Sequence, residues 1–127
     1  MSDNVLKKKV TSDLSLEYES GVEVNDYVYI NSNGKADKAL ASDIATMPCI
    51  GRVVSKTSSK CKVRKALLEE NVTALPRDVF FVSTTQAGTI TTDEPTGTGS
   101  VIQVIGYGIN NDLIDINVNQ SEIIIRS

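Results

Sequence analysis

Histidine and tryptophan are both absent from this 127-residue chain. Without histidine, the commonest general base and the commonest metal ligand are gone. No G-x-S-x-G, no Gly-rich phosphate loop and no spaced carboxylate pair on a helical face takes their place. The expectation is a protein without enzymatic activity, with no catalytic residues, no metal and no cofactor. Aromatic residues make up only 5%, so the core must be built mostly from Val, Ile, Leu and Ala. Cys49 and Cys61 are too few for a disulfide framework or a zinc site and read as two reduced, buried thiols. No stretch approaches the ~18 consecutive apolar residues that span a bilayer, so no membrane partner is expected. The N-terminus lacks the apolar core of a secretory signal, which points to a soluble product made in the cytoplasm. The net charge of −3 gives no electrostatic reason to bind nucleic acid.

What the chain does have is a 40% hydrophobic fraction distributed in short bursts. Residues 1–13 are polar and read as an N-terminal arm, with Val5, Leu6 and Val10 its apolar members and Lys7, Lys8 and Lys9 its basic cluster. A single β-domain is expected over 14–127. Leu14, Leu16 and Tyr18 alternate with polar residues as in a half-buried strand. Tyr27–Ile30 is a strand closed by the turn Asn31-Ser32-Asn33-Gly34. Residues 35–45 fit either a short helical turn or an edge strand and loop. Cys49–Ser55 follows as a strand, then Lys60–Leu68, where Lys60, Lys62 and Arg64 alternate with Cys61, Val63 and Lys65 to give one solvent face rich in charge, useful against edge-to-edge aggregation. Glu69-Glu70-Asn71 reads as a charged turn. Ser83–Ser100 is a long connection with one short strand near Thr89–Thr91. The run Val101–Val118 contains two antiparallel strands, interrupted by Gly106 and Gly108 and turned at Asn110-Asn111-Asp112. Ile123, Ile124 and Ile125 are too apolar to be left in water and are expected to add a strand to the sheet or to a neighbouring subunit. The class is all-β, with little helix.

The chain also repeats itself. Asp26-Tyr27-Val28-Tyr29-Ile30 lines up with Asp78-Val79-Phe80-Phe81-Val82, Gly34–Asp37 with Gly88–Thr91, and Ile50-Gly51 with Ile105-Gly106. Each copy begins with a turn-forming Asp and a buried strand. A Gly hairpin follows, then a loop, then a strand whose Gly permits close backbone approach. Two such halves predict a small β-barrel or β-sandwich with an internal pseudo-two-fold duplication.

The same residues, with Ala39–Ala41, Pro95-Thr96-Gly97-Thr98-Gly99 and Val101–Gly106, resemble β-domains of tailed-bacteriophage structural proteins over about Val22–Val118. These are the capsid decoration (cement) and head-fibre proteins. The resemblance implies a virion component, a homotrimer on the capsid exterior whose partners are the major capsid protein and its own copies. Clamping would be multivalent, three modest contacts acting together. The partner-binding candidates are the arm residues Val5, Leu6, Lys7, Lys8, Lys9 and Val10, able to add a strand to a capsid edge, and the tail residues Ile123, Ile124 and Ile125. The alternative reading is a fibre or receptor-binding module using the Ser83–Ser100 loop and exposed Tyr27, Tyr29 or Tyr107 on sugars. A swinging-arm carrier built on Asp37-Lys38-Ala39 is set aside, because the surrounding strand order does not match.

Overall fold

A computed structural model describes residues 13–127. It contains twelve strands in chain order: β1 (Leu14–Leu16), β2 (Tyr27–Ile30), β3 (Ala36–Lys38), β4 (Gly51–Lys56), β5 (Cys61–Arg64) and β6 (Ala66–Glu70), then β7 (Val79–Val82), β8 (Ile90–Thr91), β9 (Val101–Ile102), β10 (Val104–Asn110), β11 (Leu113–Asn117) and β12 (Ile124–Ile125). The one helical element among the described residues is a 3₁₀ turn at Ile44–Thr46. The all-β expectation therefore holds.

Two five-stranded antiparallel sheets carry the fold, in the orders β1-β5-β4-β2-β3 and β6-β11-β10-β7-β8. Position by position, this is one topology written twice. The registers repeat as well: Val28 faces Gly51 where Phe80 faces Gly106, and Tyr27 faces Arg52 where Val79 faces Tyr107. Val53 faces Val63 where Gly108 faces Ile114, and each of these hairpins then slips register, between Val53 and Ser55 or between Gly108 and Asn110.

The entry turns match atom for atom. Glu23 N–H donates to Asp26 Oδ2 at 2.8 Å, and Leu75 N–H to Asp78 Oδ2 at 3.0 Å. Between each pair stands a left-handed residue, Asn25 at φ 82° and Arg77 at φ 69°, whose N–H donates across the sheet to Val53 O or Gly108 O, both at 2.8 Å. Asn at such a φ is common because its short polar side chain relieves the strain; Arg has no such device. The paired glycines are required by close approach: a Cβ on Gly51 would meet Arg64 O, and one on Gly106 would meet the equivalent Asp115 O.

The halves differ in how each is closed. In the first, the chain after β1 returns to β3: Ala36 N–H donates to Glu17 O at 2.8 Å and Glu19 N–H to Ala36 O at 2.9 Å. The sheet thereby closes into a small barrel filled by Val22, Val28, Ala36, Ile50, Val53, Cys61 and Val63. The second sheet stays open and is filled from outside. Tyr27, Tyr29, Ala39, Ala41, Met47 and Cys49 of the first half pack against its Phe80, Val82, Ile105, Ile114 and Ile116. Strand β2 serves both cores, Val28 pointing one way and the two tyrosines the other.

Several local expectations need correction. Lys60–Leu68 is two strands, β5 and β6, in different sheets; Lys62 and Arg64 do form a charged solvent face on β5, but that strand lies between β1 and β4 and is not an edge. Glu69 and Glu70 end β6 and do not form a turn, which falls at Asn71 with φ 59°. Strand β10 continues through Gly106 and Gly108, and the irregularity expected there takes the form of register shifts between Val104 and Gly106 and between Gly108 and Asn110. Residues 35–45 hold the edge strand β3 and the start of the 3₁₀ turn. Asp13, assigned to the arm, is tied to the barrel by a bidentate pair to Arg64 at 2.9 Å for both bonds.

Candidate interaction surface

The buried polar groups serve the joint between the halves. Glu69 on β6 reaches back to the first half, accepting from Tyr27 Oη at 2.6 Å and pairing with Arg52 Nη1. Both Arg52 and Glu69 side chains are about one-sixth exposed (16% and 15%), and Arg52 Nε has no partner. Burial, reinforced by the neighbouring Glu69 carboxylate, pushes the Tyr27 hydroxyl far above its ordinary range, so it stays a proton donor. Gln103, 1% exposed, acts as a surrogate strand. It accepts from Cys49 N–H at 2.8 Å and donates to Cys49 O at 2.9 Å and Asn119 O at 3.2 Å. The polar residue inside Val101–Ile105 was the visible signal for this link, since an amide in an apolar run must find backbone partners.

Neither cysteine is poised for chemistry. Both are buried and unpaired, and burial pushes the Cys49 thiol up to about 12. Among the described residues, no three His, Cys, Asp or Glu side chains are grouped so as to hold a metal ion.

The surface is more informative. On the outer face of the second sheet, register places Tyr107 beside Asp115 and Asp115 beside Leu68. Tyr107 is 54% exposed and Leu68 55%, and Ile109 on β10 is also exposed. Alternation explains this: Ile114 and Ile116 of β11 enter the core, so Leu113, Asp115 and Asn117 face out. Next to this row lies a groove of about 600 Å³, walled by Ile102, Val104, Tyr107, Ile123 and Ile124, with Asn117, Asn119 and Glu122 as its polar lining.

The predicted tail residues belong here. Ile124 and Ile125 form β12, which pairs with Ile102 and Val101 of the same chain, so the tail adds a strand to its own fold. Their side chains nevertheless remain in solvent, Ile124 at 65% exposure, while Ile123 is half-buried against the second core. Val5, Leu6, Lys7, Lys8, Lys9 and Val10 lie outside the described residues. Of the tyrosines considered for sugar contact, Tyr27 and Tyr29 are core residues and Tyr107 is exposed. Asp37 and Lys38 sit within β3 and not at a hairpin tip.

Charge divides the chain unevenly. Residues 66–127 hold eight Asp or Glu against two Arg, whereas residues 13–65 hold seven Asp or Glu against eight Lys or Arg. The apolar face thus sits on the acidic half. Comparison with protein-family models, curated proteins and solved structures returns no match to this chain.

Proposed function

We propose that this protein is a capsid decoration protein of a tailed bacteriophage, a non-enzymatic β-block that binds the outside of the head and braces it. The observation that carries the reading is the set of solvent-facing isoleucines Ile109, Ile124 and Ile125 on a twice-repeated β scaffold. Large apolar side chains left in solvent in this way are what another macromolecule would cover. The resemblance of Val22–Val118 to virion β-domains selects the class of partner. Several copies held together would multiply modest individual contacts into firm attachment through effective concentration. The arm at Val5–Val10 would supply a further strand or charge contact to the capsid.

The test is co-sedimentation of the purified chain with undecorated phage heads. Saturable binding at hundreds of copies per head is expected, with loss of retention when residues 1–12 are deleted or Ile124 is changed to Glu. No binding to any undecorated head tried, with the folded chain verified, would remove the reading. The fibre or receptor-binding alternative is favoured by one feature, the exposed ring of Tyr107, because an open aromatic face stacks on sugars. A handful of copies per virion, together with glycan binding lost in Tyr107→Ala, would select it.

A further inference from the structure

The internal duplication supplies a comparison that a single sheet could not. Backbone positions on β5 and β11 are equivalent, because Val53 faces Val63 as Gly108 faces Ile114. Their solvent faces can therefore be superposed residue on residue: Lys62 matches Leu113, and Arg64 matches Asp115. In the first half the row across the sheet is Arg52–Arg64, with Asp13 beyond it. In the second half the same row is Tyr107–Asp115–Leu68. One backbone surface thus occurs twice in the chain: in the first half Arg52 turns into the joint with Glu69 and the solvent-facing cations are Lys62 and the Asp13-bound Arg64, while in the second a carboxylate, Asp115, stands between an aromatic and an aliphatic flank.

Each surface keeps one charge unanswered. Lys62 and Asp115 are exposed and make no ion pair among the described residues, and Arg64 is 47% exposed despite its bond to Asp13. The charge division runs the same way over the whole molecule, with the excess of carboxylates confined to the second half.

We infer that copies of this chain associate head to tail, the Tyr107–Asp115–Leu68 face of one copy packing on the Lys62–Arg64 face of the next. The aliphatic stems of Lys62 and Arg64 cover Tyr107 and Leu68 while their cationic heads reach Asp115. The chain already uses such a contact internally, where Lys56 Nζ stands 5.2 Å from the Tyr18 ring centre. A second copy is the occupant because the charges left open are complementary: Lys62 on one face and Asp115 on the other are exposed, and neither has an ion-pair partner among the described residues. Like faces cannot pair with themselves: acidic on acidic repels, and the cationic face has no exposed apolar centre to desolvate. The contact is heterologous, so each added copy leaves one face of each kind open until a ring closes. This deepens the decoration reading, which calls for a multimeric block, by naming the surface that builds it.

The experiment uses the full chain alone, without capsids, so that its outcome is separate from that of head binding. Sedimentation velocity is run on the wild type, Lys62→Glu, Asp115→Lys and the double variant, after circular dichroism confirms that each is folded. The wild type is expected to exceed its 13.7 kDa monomer mass. Each single reversal should weaken association by about tenfold or more, 1 M salt should do the same to the wild type, and the double variant should recover it. A wild type that stays monomeric at high concentration overturns the inference. So does an assembly indifferent to Lys62→Glu, which would place the contact on the acidic face against itself or elsewhere.

Discussion

Gln103 is the residue on which the joint between the two halves turns. Its amide completes the backbone pairing of Cys49, which no strand reaches, and does so with 1% exposure. Leu is close in size, so Gln103→Leu keeps the packing while stranding the Cys49 N–H and C=O in a dry interior. Each stranded group costs about 1–3 kcal/mol, and the expected destabilisation is about 2–4 kcal/mol by urea unfolding. A loss below ~0.5 kcal/mol would mean that another partner, water included, takes over. The paired glycines work at the same scale: Gly51 and Gly106 let a neighbouring carbonyl pass where any side chain would strike it. They stood out in the sequence because Ile-Gly recurs in matching contexts. Arg77 did not, since nothing about an arginine announces a φ of 69°; only its alignment with Asn25 hints at it.

At the level of elements, strands with one wet face were legible and strands between two cores were not. Cys61 and Val63 alternate with Lys62 and Arg64, and that alternation survives intact in β5. The end of that strand was also marked, because Lys65 falls on the apolar parity and breaks the alternation where the chain leaves one sheet and enters the other at Ala66. Tyr27 and Tyr29, by contrast, were open to a surface reading. Period-two patterning says that they share a side, but not that a second core covers it. Leu14 shows the converse, an apolar strand residue left 44% exposed at the barrel end. Strand β1 is short, and much of its attachment comes from Asp13 clamping Arg64. The Arg64 guanidinium holds the Asp13 carboxyl below its usual range, so the folded form binds this proton more weakly than the unfolded chain does. The stabilisation is therefore complete above the unfolded pKa and fades as pH falls through the lower folded value. With Arg64 half in solvent, its size is about 0.5–1 kcal/mol. Urea titrations of wild type and Asp13→Ala should differ by that amount at pH 6 and draw together as the pH falls below 3.8, the ordinary value for this carboxyl. A difference that does not shrink as the pH is lowered would assign the effect to something other than the carboxylate.

For the molecule as a whole, duplication of topology without duplication of closure decides how the parts depend on each other. The first half closes on itself and owns its core, whereas the second is an open sheet whose inner face is filled by the partner half. Glu69 adds to this dependence by placing its charge on Arg52, since a carboxylate this buried is tolerable only with its partner present. The sequence repeat predicted two like halves, and the strand orders agree; the asymmetry escaped because it resides in Ala39, Ala41, Met47 and Cys49, small residues in a connecting loop whose destination no local pattern encodes. It follows that the two pieces should behave differently when separated. Residues 66–127 alone lose Tyr27, Tyr29, Met47 and Cys49 from the core and leave Glu69 without Arg52, so this fragment is expected to be unfolded in solution. Residues 1–65 keep the closed barrel and should retain strand signal by circular dichroism. Mixing the two should restore cooperative unfolding and slow amide exchange at Ile105, Ile114 and Ile116, whose protection depends on the first half. Dispersed amide resonances and protected core strands in isolated 66–127 would show that its sheet needs no partner, and the account of a borrowed core would then be wrong.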